Sequence, residues 1–210
     1  MTQADDTFRS VASPGTSETR VRGSRFIGIA SHAASETEVA AVVSQARKRW
    51  HDARHHCYAF RIGKTAELFR ANDDGEPGGT AGIPILRQIE SRELTQTVVV
   101  VTRYFGGTKL GRGGLTRAYS DAAGLALDTA EVRHHVITCR YRVSFPYDDT
   151  ARAMRAIERF GASVVSSEYS EAAALVVEIR RSAGEAFRAG FEAQLAGRGM
   201  VRLLPLVDSD

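Results

Sequence analysis

The chain has 210 residues, of which 43% are hydrophobic and 25% charged, so it can form one large or two small globular domains. A formal net charge of +3 is too small to indicate nucleic-acid binding by itself, and two cysteines exclude a disulfide framework. No apolar run reaches the roughly 18 residues that span a membrane, and the N-terminus lacks the apolar core of a signal peptide. We therefore expect a cytoplasmic protein without membrane contacts.

The N-terminal part predicts a tail, a hairpin and a helix. Residues 1–17 have little apolar periodicity and include Ser13-Pro14-Gly15, which predicts a flexible tail. Residues 18–22 and 25–31 alternate like two strands around a Gly-Ser turn. Ser35 and Glu38 have the spacing of a capping box, and apolar residues at helical intervals follow as far as about His51.

The rest of the chain divides into two regions of mixed α and β character. We predict one domain over residues 18–133 and a second over 134–210. In the first, the hairpin and helix precede strands over 56–62 and 67–71, a helix near residue 84, a strand over 97–104 and a helix to about 130. In the second, strand, helix, strand, strand, helix and strand are predicted over 136–145, 149–160, 162–169, 172–180, 184–195 and 200–206. This βαββαβ order is typical of a ferredoxin-like α+β domain.

The most informative stretch of sequence is a glycine-rich turn between the strand at 97–104 and the following helix. Five glycines fall within residues 106–114, and no acidic residue occurs from 96 to 120. A helix that begins after such a turn presents unpaired backbone N–H groups and a positive dipole end to one place. The pattern predicts an anion- or RNA-binding site formed by Arg103, Tyr104, Gly106, Gly107, Lys109, Gly111, Arg112, Gly113, Gly114 and Arg117.

Two known nucleotide motifs do not fit this turn. Arg112 and Gly113 stand where a P-loop needs Lys and Ser or Thr, and the spacing of a dinucleotide-binding loop is also missing. The alternative explanation is that the glycines only permit a tight turn with positive φ. Arg117 could instead form an ion pair with Asp121 one helical turn further on, and Tyr104 could stack on a base.

An acidic cluster at Asp73, Asp74 and Glu76 allows three interpretations. Carboxylates could hold a hard cation, although their spacing is not that of an EF-hand loop. Asp and Gly also dominate ordinary turns. A third possibility is that Asp74 or Glu76 pairs with Arg103 or Arg112 and thereby orders the glycine-rich turn.

A catalytic constellation is not evident in the sequence. Cys57 follows His55 and His56, which invites a cysteine nucleophile with a histidine base, but a single cysteine in a strand is usually a buried, inert residue. Neither a serine-nucleophile elbow nor a zinc-protease helix is present. We predict no catalytic residues, no metal and no cofactor.

Several segments resemble the signature of the Impact/YigZ family. They are residues 24–27 (SRFI), 53–59 (ARHHCYA), 72–86 (NDDGEPGGTAGIPIL) and 98–119 (VVVVTRYFGGTKLGRGGLTRAY). The resemblance is dense between residues 18 and 130. It includes Arg25, His55, Asp74 and Glu76, which we expect to support the site formed by the glycine-rich turn.

The resemblance implies an N-terminal domain similar to the second domain of ribosomal protein S5 and a ferredoxin-like C-terminal domain. Eukaryotic relatives regulate translation by competing for a kinase activator, but they carry a different flanking domain. Our leading hypothesis is therefore a non-enzymatic RNA- or ribosome-binding protein linked to the regulation of translation. Two alternatives remain: an enzyme acting on small molecules or phosphoesters in a cleft between the two signature loops, and an interaction module for a translation factor.

Overall fold

A computed structural model describes residues 6–169 and 172–205, which fold into two compact units of mixed α and β structure. One unit contains residues 8–135. The other contains the described residues from 136 onward together with Asp6 and Thr7. Within the described residues, no helix combines the length and the apolar character that crossing a bilayer requires.

The first unit contains most of the helices and strands. Its strands are β1 (Thr7–Ser13), β2 (Gly15–Val21), β3 (Ser24–His32), β4 (His55–Ile62), β5 (Leu68–Asn72), β6 (Thr97–Tyr104) and β7 (Glu131–Val136). Its helices are α1 (Glu36–Arg49), α2 (Gly82–Glu90) and α3 (Gly111–Asp128). The boundary predicted between Arg133 and His134 falls within β7.

A five-stranded antiparallel sheet with the order β2-β3-β6-β4-β5 organises this unit. Successive side chains of β6 point to opposite faces of the sheet, and both faces are covered. Val99 and Val101 join the core formed with α2 and α3, whereas Val98 and Val100 join the core formed with α1. Residues 97–103 are accordingly buried, which explains why β6 is a continuous run of β-branched residues.

The prediction of a flexible tail over residues 1–17 is wrong from residue 7 onward. β1 pairs with β7 in a two-stranded sheet, and β2 forms the edge of the large sheet. Val11 is fully buried, and Phe8 stacks on His135 with the ring centroids 4.4 Å apart. β1 was missed because its partner lies more than a hundred residues away and its own sequence is mostly polar. Residues 1–5 lie outside the described residues.

The capping box before α1 is confirmed. Ser35 is the N-cap, and its hydroxyl accepts a hydrogen bond from the N–H of Glu38 at 3.2 Å. The Glu38 carboxylate reaches back to accept from the N–H of Ala34 at 2.9 Å. Both interactions satisfy amides that the helix itself cannot pair.

The second unit has the predicted succession of elements, namely β8 (Thr138–Phe145), α4 (Thr150–Arg159), β9 (Ser163–Tyr169), β10 (Ala173–Arg180), α5 (Gly184–Gln194) and β11 (Met200–Leu203). Its four strands are hydrogen-bonded in the order β11-β8-β10-β9. The core includes Phe187 and Phe191, which are fully buried. The single strand predicted over 136–145 is interrupted at Ile137, which lies between the end of β7 and the start of β8. The strand predicted over 200–206 corresponds to β11, and its last position, 206, lies outside the described residues.

Candidate functional site

The glycine-rich turn connects the end of the central strand β6 to the N-terminus of α3. Its first glycine is required by packing, because a Cβ at Gly106 would lie 1.9 Å from the carbonyl carbon of Gly23 in the β2–β3 turn. The N–H of Gly106 also donates to the Ser24 hydroxyl at 3.1 Å. The start of the turn is thus held against the β2–β3 hairpin.

The later glycines of the turn lie on open surface. Gly107 and Gly111 have φ angles of 83° and 71°, a region that favours glycine. Gly113 has no such φ, and a Cβ on it would meet nothing within 4 Å. A glycine inside a helix is about 1 kcal/mol less favourable than alanine, so neither packing nor backbone conformation explains Gly113.

The N-terminus of α3 carries no cap from a side chain. Leu110 is the N-cap residue, its side chain makes no capping hydrogen bond, and the first turn contains no acidic residue. The partial positive charge of the helix end is therefore not balanced by α3's own residues. Anion binding at this helix end stays a prediction.

Arg103 does not take part in that open surface, and its prediction as an anion-binding residue is wrong. Its guanidinium Nη1 lies 2.7 Å from Glu76 Oε1, and the two side chains are 6% and 4% exposed. The same carboxylate oxygen accepts a hydrogen bond from the Tyr119 hydroxyl at 2.7 Å, and Arg103 also donates to Ser24. Arg103 lies on the same face of β6 as Val99 and Val101, which α2 and α3 cover, and Glu76 balances its charge there.

This buried pair confirms one of the three interpretations of the acidic cluster. Glu76 joins the loop after β5 to the strand that leads into the glycine-rich turn. Arg112 makes a second link, since its Nη2 donates to the carbonyl oxygen of Gly78 at 2.8 Å. The two signature loops therefore meet in the folded unit, as the third interpretation of the acidic cluster expects.

The other acidic residues are engaged in building the same loop. Asp73 accepts hydrogen bonds from the N–H groups of Gly79, Ala81 and Gly82 at 2.8 to 2.9 Å. Although burial acts in the opposite direction, these bonds lower the pKa of Asp73. Asp74 binds Arg47 at 2.6 Å and the N–H of His56 at 2.7 Å.

The metal interpretation gains no support from this arrangement. Each carboxylate of the cluster is directed at a different protein partner, and the described residues contain no group of three His, Cys, Asp or Glu side chains that could hold an ion.

The Cys57 region is also structural. The Cys57 thiol is fully buried and donates to the backbone carbonyl of Asp73 at 3.0 Å, and burial raises the pKa of that thiol. His55 Nδ1 donates to the carbonyl of Asp74 at 2.9 Å. His56 contacts the Thr102 hydroxyl at 3.0 Å, and burial lowers the pKa of its ring. No contact within the described residues joins the thiol to a histidine base.

Two more of the predicted residues form a surface cluster beside β6. The Tyr104 hydroxyl donates to Asp52 at 2.6 Å, and this hydrogen bond raises the pKa of Tyr104. The Arg25 guanidinium lies 5.7 Å from the centroid of the same ring and pairs with Glu18 at 2.7 Å. The Tyr104 side chain is thus engaged within the protein, through its ring by Arg25 and through its hydroxyl by Asp52.

The remaining cations are open to solvent. Lys109, Arg112 and Arg117 are exposed at the start of α3. In the described part of the chain neither Lys109 nor Arg117 forms an ion pair, so the alternative pairing of Arg117 with Asp121 is wrong. Phe105 is an exposed aromatic residue at the start of the turn and was not among the predicted site residues. Its position directly after a buried strand and before two glycines was the available indication.

The fold and site define a class: a two-unit mixed α/β protein in which a buried ion pair holds two signature loops together and a cationic, uncapped helix start is left exposed. The sequence profile of the Impact N-terminal domain matches residues 22–127. The IMPACT family member YigZ from Escherichia coli (strain K12) is 31% identical over 199 residues, which cover 93% of this chain and 96% of that protein. The chain belongs to the IMPACT family.

Two further comparisons agree with this assignment. The IMPACT family member YvyE from Bacillus subtilis (strain 168) is 42% identical over 121 residues, or 58% of this chain. The alignment spans only 56% of YvyE. A solved structure described as the crystal structure of an hypothetical protein superposes with a TM-score of 0.64 at 27% identity, and the match covers 97% of this chain and 99% of that one.

Proposed function

We propose that this protein is a non-enzymatic RNA- or ribosome-binding protein, linked to the regulation of translation and acting in the cytoplasm. The observation that carries the proposal is the uncapped, acid-free start of α3, with Lys109 just before the helix and Arg112 and Arg117 in its first two turns, all three exposed. Backbone N–H groups and cationic side chains at one helix end match the chemistry of a nucleic-acid phosphate. A translation factor would be a further partner.

We also propose the finer architecture that the family resemblance implies. In this proposal residues 18–133 form a domain similar to the second domain of ribosomal protein S5, and residues 134–210 form a ferredoxin-like domain. The order β11-β8-β10-β9, with α4 and α5 as the connecting helices, supports the second assignment. A ribosomal-protein-like domain with a cationic loop is compatible with an RNA partner.

Other exposed cations lie at the same end of the large sheet. Arg22 lies in the β2–β3 turn against which Gly106 packs. Arg54 immediately precedes His55, whose backbone is paired with that of Arg103 at the end of β6. In the described residues these two arginines have no acidic partner. Cations from separate segments of the chain thus surround the turn, and such clustering favours a polyanion over a single small anion.

The buried pair is the scaffold of this proposed site. Because Glu76 neutralises Arg103 and Arg112 reaches Gly78, the two loops are held together without using Lys109 or Arg117. Arg112 uses one of its N–H donors for the neutral carbonyl oxygen of Gly78, so its other donors and its positive charge are available to a phosphate. The engagement of Asp74, Glu76 and Cys57 within the protein favours this binding function over the enzyme alternative.

Salt-dependent RNA binding tests the proposal. Fluorescence anisotropy of a 5′-labelled single-stranded RNA is measured with the full chain over a series of KCl concentrations. Wild-type protein should bind at low salt, with log affinity falling linearly against log salt. The K109Q/R112Q/R117Q variant should lower the magnitude of the slope by about 2, because each of the three lost phosphate contacts contributes roughly 0.7.

The matched control is R87Q, which removes an exposed helical arginine from α2 of the same unit. It should leave the slope unchanged. Absence of binding at low salt, or equal slopes for wild type and the triple variant, would refute the proposal.

A further inference from the structure

We propose that Phe105 is a stacking platform for an unpaired base, so that the RNA bound at the start of α3 is single-stranded at this position. This inference rests on the proposed function and adds the class of RNA. It concerns a side chain that the fold holds at the surface beside the cationic cluster: Phe105 is 54% exposed, although it directly follows the buried strand β6.

The ring of Phe105 is supported from within the protein. The Arg103 guanidinium lies 5.6 Å from the Phe105 centroid and 5.5 Å from that of Phe26, so it is in cation–π contact with both rings. Phe26 is fully buried, and Arg103 is itself held by Glu76. Phe105 therefore contacts a fixed group on the protein side while about half of its surface remains open to a ligand.

The surroundings of Phe105 identify the partner as a nucleic acid rather than an apolar surface. Lys109 and Arg112 follow it along the turn, both exposed, and Gly107 and Gly113 leave space in which a backbone can approach closely. An aromatic face beside cations and open amides fits a base and its neighbouring phosphate. A duplex keeps its bases stacked inside and cannot offer one to the ring.

Phe69 provides a matched control within the same unit. It is 57% exposed, on the edge strand β5. In the strand register Phe69 lies opposite Arg61 of β4, and Arg61 lies opposite Thr97 at the start of β6. Phe69 is therefore at the opposite end of the sheet from Phe105. Among the described residues it has no aromatic or cation–π contact.

The test compares F105L and F69L in the full chain with two labelled oligomers: a single-stranded RNA and an abasic ribose-phosphate chain of equal length. F105L should weaken binding to the RNA about tenfold or more, as expected for the loss of one stacked base. It should leave binding to the abasic chain and the salt slope unchanged, because the phosphate contacts remain. F69L should behave as wild type with both oligomers.

The outcomes separate this inference from the proposed function. If wild type binds RNA but F105L binds it equally well, the stacking inference is overturned and phosphate binding stands. If F105L lowers affinity for both oligomers and flattens the salt slope, Phe105 acts by shaping the turn, and the inference fails in the same way. If wild type binds neither oligomer, both proposals fail. A duplex RNA that binds as tightly as the single strand also contradicts the inference.

Discussion

Removing the charge of Glu76 should strongly destabilise the first unit. The E76Q variant keeps an acceptor for Tyr119 and nearly the same shape, but it leaves Arg103 buried without a counter-charge. Breaking a buried pair by removing one partner costs about 3–5 kcal/mol. Because the amide retains the hydrogen bonds, we expect about 3 kcal/mol, which lowers the urea midpoint by about 1.5 M at an m-value of about 2 kcal/mol/M.

Tryptophan fluorescence in urea measures this effect in the relevant unit. The only tryptophan of the chain, Trp50, is the C-cap of α1 and reports on that unit. The control is E18Q, which removes a carboxylate bound to Arg25 at the same distance of 2.7 Å, but with side chains that are 43% and 40% exposed. E18Q should leave the midpoint essentially unchanged, since exposed pairs contribute little.

A second variant separates the charge from the packing. In E76Q/R103M the unbalanced cation is gone while the introduced amide still accepts from Tyr119, so most of the stability lost in E76Q should return. The reasoning is refuted if E76Q shifts the midpoint no more than E18Q does, or if the double variant is less stable than E76Q.

Further predictions concern the caps and glycines of the same unit. S35A should lower stability by about 1 kcal/mol in urea unfolding, because the hydroxyl that caps α1 is lost; an unchanged midpoint would contradict the capping role. The lowered pKa of Asp73 means that its charged form stabilises the fold above the unfolded pKa near 3.8, and that this contribution disappears as pH falls below that value. In D73N the acid-induced loss of stability should therefore be smaller than in wild type, and equal losses below about pH 4 would argue against it. G113A should raise stability by up to about 1 kcal/mol yet weaken RNA binding. A G113A protein that is more stable and binds normally would show that RNA does not use the open surface. G106A should instead destabilise the turn, because its Cβ would overlap the backbone of Gly23.

Local signals in the sequence identified most elements of the fold. The capping box before α1 and the hairpin of β2 and β3 depend on neighbouring residues, so their chemistry is readable from the chain, although the turn lies at Arg22 and Gly23, one residue before the predicted Gly-Ser pair. The buried run of β6 and the apolar spacing of α3 are likewise periodic patterns. β1 could not be found in this way, because its pairing with β7 joins segments that are distant along the chain.

The roles of the charged residues were harder to predict. Glycines, cations and an acid-free stretch indicated an anion site, but the sequence cannot show which cations face solvent. Arg103 and Lys109 have the same charge and lie close together along the chain, yet one is buried against Glu76 and the other is exposed. Phe105 was overlooked for the same reason, since an aromatic residue after a buried strand resembles a further core position.

The sequence by itself determined the local structure, the family signature and the presence of a cationic, glycine-rich helix start, because each depends on residues close together in the chain. Only the tertiary structure decided that Arg103 is buried in an ion pair, that its partner Glu76 joins the two loops, and that Phe105 stays at the surface. Those outcomes depend on which distant group lies opposite each side chain. A buried charge is stable only where folding brings a counter-charge to it.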